Sequence, residues 1–144
     1  MDAYFDSAII VKLYVRETTS VDAIALVSQQ AAPYLLTHWQ ALEVRNAIRL
    51  KAFRGELSAT EMTASLAALE QDIAAGRWQT PAYDRFVVEQ KAEELSQQHS
   101  AALGCRTLDI IHVAAALVLE TKTFITFDTR QKKLAVLAGL AVKP

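Results

Sequence analysis

The feature that most constrains the fold of this chain is a repeated alternation of short β-type runs with longer helical patterns. The β-type runs are AYF before Asp6, YLLT after Pro33, the strand-like or irregular WQTPAY, TFITF at 123–127 and the final LAVK. The segments with helical patterns are one that Ser7 can cap and that continues through Tyr14, 20–32, 38–54, a capping-box helix from Ser58 to 75, 84–103, 107–120 and a short helix after Asp128. Strands and helices in this order predict an α/β fold with a mainly parallel sheet. A length of 144 residues suits one domain, so we predict a single domain over 1–144.

Composition excludes several classes of protein. Hydrophobic residues make up 52% of the chain, which argues against disorder, and the single Cys105 rules out an internal disulfide. The start MDAYFD lacks the basic residues of a secretory signal, and the longest apolar run, VAAALVL, is far shorter than the roughly 20 residues of a membrane span. We therefore expect a cytoplasmic protein with no membrane segment. Lys and Arg total 15 against 16 Asp and Glu, so any nucleic-acid role must rest on a local site.

Four acids stand out because of their apolar surroundings. Asp6 follows AYF directly and Asp128 follows TFITF directly, so both are expected at carboxyl ends of strands, where parallel sheets form their binding crevices. Asp109 lies inside LDIIHVAAALVL and Glu43 inside WQALEV. A charge in such surroundings is costly unless it is paired or binds a metal.

Each acid taken alone also has a structural explanation. Asp6 and Asp128 are placed as helix caps or turn residues, and Asp109 as an acid in the first turn of its helix. Glu43 has Arg45 or Lys12 as an ion-pair partner. The four acids together favour a shared site, because two lie at strand ends and two in apolar helical segments. If the four carboxylates converge, their combined negative charge requires cations.

Carboxylate oxygens are the ligands that Mg²⁺ and Mn²⁺ prefer, in contrast to the nitrogen and sulfur ligands typical of zinc. Such ions activate a water molecule and shield phosphate during in-line displacement. The residue types therefore predict a metal-dependent nuclease, with Asp6, Glu43, Asp109 and Asp128 as both the metal ligands and the catalytic residues.

Four sequence blocks carry a resemblance to a known family. YFDSAIIVKLY, LEVRNAIR, RTLDIIHVAAAL and TFITFDTR occur in the order and at the separations of PIN domains of the VapC toxin class. The chain resembles that family over essentially its whole length, most specifically in the first and third blocks. The resemblance implies a PIN-like three-layer fold with a central parallel sheet flanked by helices, and it places the family's metal-binding acids on the same four residues.

The resemblance also implies a function and partners. It implies endoribonucleolytic cleavage of RNA with Mg²⁺ or Mn²⁺, a homodimer, and a cognate antitoxin that blocks the toxin. In one respect the chain departs from many PIN domains, which carry a further acid just after the fourth one. Here Thr129, Arg130 and Gln131 follow Asp128. We therefore expect one metal at rest, with a second ion gained with substrate.

Other polar residues have secondary roles in this interpretation. Ser7 and Thr126 are candidates to orient Asp6, a water or a phosphate, Asn46 is a candidate neighbour of the metal site, and His112 is expected to be a core histidine. The candidate RNA-phosphate contacts are Lys12, Arg45, Arg49, Arg106, Arg130, Lys132 and Lys133.

Two alternatives remain open at this stage. A non-catalytic PIN-fold interaction module would have the same fold, although it would be free to lose the four acids. A phosphoacceptor domain of the receiver kind is also α/β with acids at strand ends. That class needs paired acids after the first strand and a lysine after the last, whereas Asp6 is followed by Ser7.

Overall fold

The structure is a computed structural model that describes all 144 residues. The residues fall into two compact units. The first unit comprises Met1–Asp6 together with Ala82–Pro144, and the second comprises Ser7–Pro81. None of the helices combines the length and apolar character that a membrane span requires. The single domain predicted over 1–144 stays a prediction.

The elements follow the alternation predicted from the sequence. In chain order they are β1 (Ala3–Phe5), α1 (Ser7–Tyr14), α2 (Ser20–Ser28), β2 (Tyr34–Leu35), α3 (His38–Phe53), α4 (Ala59–Ala74), β3 (Trp78–Gln79), α5 (Arg85–Leu95), a π-helical segment (Ser96–Ser100), α6 (Ala101–Leu103), α7 (Thr107–Val118), β4 (Thr123–Ile125), α8 (Thr129–Leu137) and β5 (Ala141–Lys143).

The first unit is built on a parallel sheet with the strand order β1-β4-β5. Tyr4 pairs with Phe124 in the register of β1 and β4, and their rings stack with centroids 5.4 Å apart. Both side chains are fully buried. Helix α7 packs against α5 and α8, and α8 also packs against β5. The predicted α/β architecture, with a parallel sheet flanked by helices, is therefore confirmed.

The same sheet sets the position of two candidate site residues. The N–H of Asp6 donates to the carbonyl of Ile125 at 2.9 Å, which continues the pairing of β1 with β4 by one residue. The N–H of Thr126 donates to the carbonyl of Lys143 at 3.0 Å, beyond the end of β4. Because the strands are parallel, Asp6 and Thr126 leave the sheet at the same edge.

The second unit contains a short parallel pair of strands, β2 and β3, in which Tyr34 lies opposite Trp78. Helix α1 packs against α2, α3 and α4. The core of this unit includes the fully buried Ile9, Val44 and Leu69. On α3 the buried residues recur at helical spacing along one face, as Gln40, Ala41, Val44 and Ile48.

Helix starts agree with the sequence better than helix ends. The capping box predicted at Ser58 is confirmed, since its hydroxyl accepts from the N–H of Glu61 and the Glu61 carboxylate accepts from the N–H of Ser58. Ser7, predicted to cap α1, is instead its first residue. Helix α2 ends at Ser28, four residues before the predicted end, because the chain must turn before it enters β2.

Candidate metal centre

The hydroxyl of Thr126 connects two of the four predicted acids. Its Oγ1 donates to Oδ2 of Asp6 at 3.1 Å and accepts from the N–H of Asp128 at 2.9 Å. Thr126 is fully buried and Asp6 is 9% exposed. One hydroxyl therefore orients the Asp6 carboxylate and fixes the backbone from which the Asp128 side chain projects, in the orienting role predicted for Thr126.

Asp128 is the N-cap of α8. Its Oδ1 accepts from the N–H of Gln131 at 2.8 Å, and the residue is exposed. The capping role that the sequence left open for this residue is real. Capping and metal binding are compatible, because this bond engages one of the two carboxylate oxygens.

Asp109 is the third residue of α7 and is partly buried. Its Oδ2 accepts from the N–H of Arg106 at 3.3 Å, as expected for an acid in the first turn of a helix. Burial raises the pKa of Asp109, the hydrogen bond from Arg106 opposes this shift, and the negative charge of Asp128 raises the pKa further. The effect of Asp128 shows that these two acids interact electrostatically, as two residues of one acidic site would.

Glu43 lies in the second unit, on α3, and is partly buried. The two cations considered as its partners bond to other acids: Lys12 donates to Glu17, and Nε of Arg45 donates to Glu70 at 2.7 Å. The role of Glu43 as a metal ligand stays a prediction.

The donor chemistry of the first unit fits a hard divalent cation. Asp6, Asp109 and Asp128 offer carboxylate oxygens, and Thr126 adds a hydroxyl. The structure shows no group of three or more His, Cys, Asp or Glu side chains already arranged to hold one ion. The interactions among the acids are instead pairwise, through Thr126 and through the charge of Asp128. We therefore name these residues as candidate ligands and assign no coordination geometry.

Two neighbouring side chains have structural roles. Burial raises the pKa of the Cys105 thiol, and the negative charge of Asp109 raises it further, so the thiol stays protonated at neutral pH and is a poor nucleophile. Nδ1 of His112 lies 2.8 Å from the hydroxyl of Tyr4, and both residues are buried. His112 is thus a hydrogen-bonded core histidine, as expected.

Among the candidate phosphate contacts, the structure separates side chains engaged in ion pairs from exposed ones. Lys12 and Arg45 form ion pairs within the second unit. Nη1 of Arg130 donates to the carbonyl of Gly104 at 3.4 Å. The exposed cations of the set include Arg49, Arg106 and Lys133. Asn46, predicted near the metal site, is exposed on α3.

Sequence reasoning missed Gln131, which lies in the first turn of α8. The residue is 1% exposed, and neither its Nε2 nor its Oε1 has a hydrogen-bond partner. A signal was available, because Gln131 occupies the third helical position after the Asp128 cap, where glutamine usually caps a helix.

Comparison with known proteins finds a match to the three-dimensional structure of the chain and none to its sequence. No protein-family model and no curated protein sequence matches the chain. Among solved structures, the chain is similar to the crystal structure of FitAcB from Neisseria gonorrhoeae, with a TM-score of 0.69 and 18% sequence identity over 99% of this chain and 96% of that one. At this identity the match establishes the fold alone. The protein therefore has the α/β fold seen in FitAcB, in agreement with the PIN-like fold predicted from its sequence blocks.

Proposed function

We propose that the protein is a metal-dependent endoribonuclease in which Asp6, Glu43, Asp109 and Asp128 hold Mg²⁺ or Mn²⁺. The observation that carries the proposal is the buried Thr126 hydroxyl, which joins Asp6 and Asp128 at the carboxyl end of the sheet. The electrostatic interaction of Asp128 with Asp109 adds a third acid. The resemblance of four sequence blocks to VapC-type PIN domains and the fold shared with FitAcB support the same function.

The residues of the chain perform three tasks in this proposal. Thr126 orients Asp6, the start of α8 presents Asp128 to solvent, and Asp109 contributes a carboxylate with a raised pKa. When bound, the cation supplies a water nucleophile and shields the charge of the scissile phosphate. Because ligands must be deprotonated, metal affinity should increase as pH rises through the raised pKa of Asp109.

RNA is the proposed substrate, with the exposed Arg49, Arg106 and Lys133 as candidate phosphate contacts. The test is incubation of pure protein with structured RNAs in Mg²⁺, in Mn²⁺ and in chelator, followed by mapping of the ends. We expect cleavage only with metal, leaving 5′-phosphate and 3′-hydroxyl ends. Absence of cleavage with every metal and RNA would favour the non-catalytic interaction module.

We further propose that the protein is a cytoplasmic toxin that forms a homodimer and is blocked by an antitoxin. An antitoxin would insert a basic side chain beside the acids, because a cation there replaces the charge of the metal. Light scattering should give the mass of a dimer, and a purely monomeric protein would contradict that part. A structure of the complex with the acidic site open and empty would contradict the inserted cation.

A further inference from the structure

The carboxamide of Gln131 is a buried polar group with unmet hydrogen-bonding needs. Its side-chain oxygen and nitrogen both lack a partner, although the residue is 1% exposed. The other buried residues of α8 are Leu134 and Ala135, which lie three and four positions further along the same helical face. Gln131 is therefore the polar end of an otherwise apolar buried stripe.

A second buried glutamine in the chain shows what this position usually does. Gln40 is the third residue of α3, as Gln131 is the third residue of α8. The Gln40 Oε1 accepts from the N–H of Thr37 at 2.6 Å and so completes a capping box. In α8 the corresponding N–H, that of Asp128, is already bonded to Thr126. Thr126 thus takes over the capping role, and the Gln131 carboxamide turns into the interior.

An amide buried in this way is unfavourable unless something binds it. An unsatisfied buried donor or acceptor loses its hydrogen bonds to water and gains none in the fold, and Gln131 carries both kinds of group. Internal water molecules typically satisfy such groups with two to four hydrogen bonds. The partner must be small, because the surrounding face of α8 is buried against the rest of the first unit.

We propose that the Gln131 carboxamide binds an internal water molecule and is a positioning residue for Asp128. The link between the two residues is direct, since the backbone N–H of Gln131 donates to Oδ1 of Asp128 at 2.8 Å. Anchoring the Gln131 side chain through water therefore fixes the turn that holds the carboxylate. The consequence for metal binding rests on the proposed function, whereas the water does not.

The water is tested by NMR on the metal-free protein. We expect the side-chain NH₂ protons of Gln131 to show a cross-relaxation signal with a long-lived water molecule. The NH₂ protons of Gln40 serve as the internal control and should show none, because Gln40 is equally buried but its Oε1 accepts within the helix cap and its Nε2 is not left without a partner. A Gln131 signal that shows no contact with water overturns the proposal, whatever the protein does with metal.

The positioning role is tested with Gln131→Met, which keeps the side-chain length and removes both polar atoms. We expect the Kd for Mn²⁺, measured by calorimetry, to increase about tenfold, as for other residues that orient metal ligands. The melting temperature in chelator should stay level or increase, because Met removes the amide together with its bound water, and replacing both partners by an apolar group is nearly neutral or stabilising. Gln131→Leu repeats the test in case Met packs poorly, and the exposed Gln97→Met is the control that should change neither value.

The outcomes separate the two proposals. A Kd for Mn²⁺ within twofold of the wild-type value in both Gln131 variants overturns the positioning role and leaves the proposed nuclease intact. If the wild-type protein binds no Mn²⁺, the proposed function and the positioning role both fall. In that case the NMR experiment still tests whether Gln131 binds an internal water molecule.

Discussion

Two partly buried acids, one in each unit, have pKa values shifted in opposite directions. Glu17 in the second unit accepts from Lys12 and also pairs with Lys51, which in turn pairs with Glu56. Burial tends to raise the pKa of Glu17, but the hydrogen bonds from the two lysines outweigh it and hold the pKa below its usual range. Asp109 in the first unit accepts from a backbone N–H and lies near the charge of Asp128, and its pKa is raised.

The two acids differ in whether the folded chain already balances their negative charge. The Glu17 cluster carries its own cations, so it stabilises the folded chain without help. The pairs Asp6–Thr126 and Asp109–Arg106 use a hydroxyl and a backbone N–H, which orient the carboxylates. The positive charge of Arg106 lowers the pKa of Asp109, but burial and the charge of Asp128 keep that pKa raised. An external cation should therefore bind more favourably beside Asp6 and Asp109 than beside Glu17.

The largest expected effect is on catalysis. Asp109→Asn should lower metal-dependent RNA cleavage by about 100-fold or more, the scale expected when a group that stabilises the transition state is removed. Cleavage rates in Mn²⁺, with circular dichroism to show that the variant is folded, measure this effect. Glu93→Gln, an exposed acid on α5, is the matched control and should retain its rate. Cleavage by Asp109→Asn within tenfold of wild type would remove this residue from the site.

The next effect is stabilisation by metal. Mn²⁺ at 100 times its Kd should stabilise the wild-type protein by about 2.7 kcal/mol, because it binds the folded state. Mn²⁺ should stabilise the Asp6→Asn and Asp109→Asn variants less than it stabilises the wild-type protein. Melting curves in chelator and in excess Mn²⁺ provide the comparison, with Glu17→Gln as a control that keeps the full gain. If the melting temperature of the wild-type protein is the same in chelator and in excess Mn²⁺, the acids are structural caps and do not bind the metal.

A smaller effect is expected at the lysine cluster. Glu17→Gln should destabilise the protein by about 1 kcal/mol at neutral pH, near the upper end for a pair close to the surface. Because the folded-state pKa of Glu17 is lowered, its contribution is present above the unfolded pKa and is lost as pH falls through the folded value. Urea unfolding at several pH values should show that the difference in unfolding free energy between variant and wild type decreases at acidic pH. A gap independent of pH would contradict the ion-pair explanation.

The smallest effect has the opposite sign. In chelator at neutral pH, Asp109→Asn should leave the stability unchanged or raise it, because Asn keeps an oxygen for the Arg106 N–H and loses the buried charge. The folded-state pKa of Asp109 is raised, so its stabilising effect is present below the unfolded pKa and is lost as pH rises through the folded value. The stability of the wild-type protein should therefore increase relative to that of Asp109→Asn at acidic pH. Clear destabilisation by Asp109→Asn in chelator would identify this acid as an essential cap.

Local signals allowed much of the fold to be predicted from sequence. The Ser58 capping box is complete within four residues, and the structure shows both of its hydrogen bonds. The segment 107–120 around Asp109 was predicted as an apolar helix, and α7 buries Ile110 and the run from His112 to Ala116. The end of α2 was predicted less well, because helices end where the chain must turn toward its next packing partner.

The unusual acids are identifiable from the sequence alone, because an acid inside an apolar run is visible without coordinates. The sequence also determined the order of strands and helices, which follows from periodicity and caps. The connection from Asp128 through Thr126 to Asp6 depends on tertiary folding, since the hydrogen bond between Thr126 and Asp6 spans 120 positions of the chain. Tertiary packing also buries the Gln131 carboxamide without a partner, whereas Gln40 closes a cap. The two glutamines have the same local position, but the Asp128 N–H is bonded to the Thr126 hydroxyl two residues earlier, and α8 packs its buried face against the rest of the first unit.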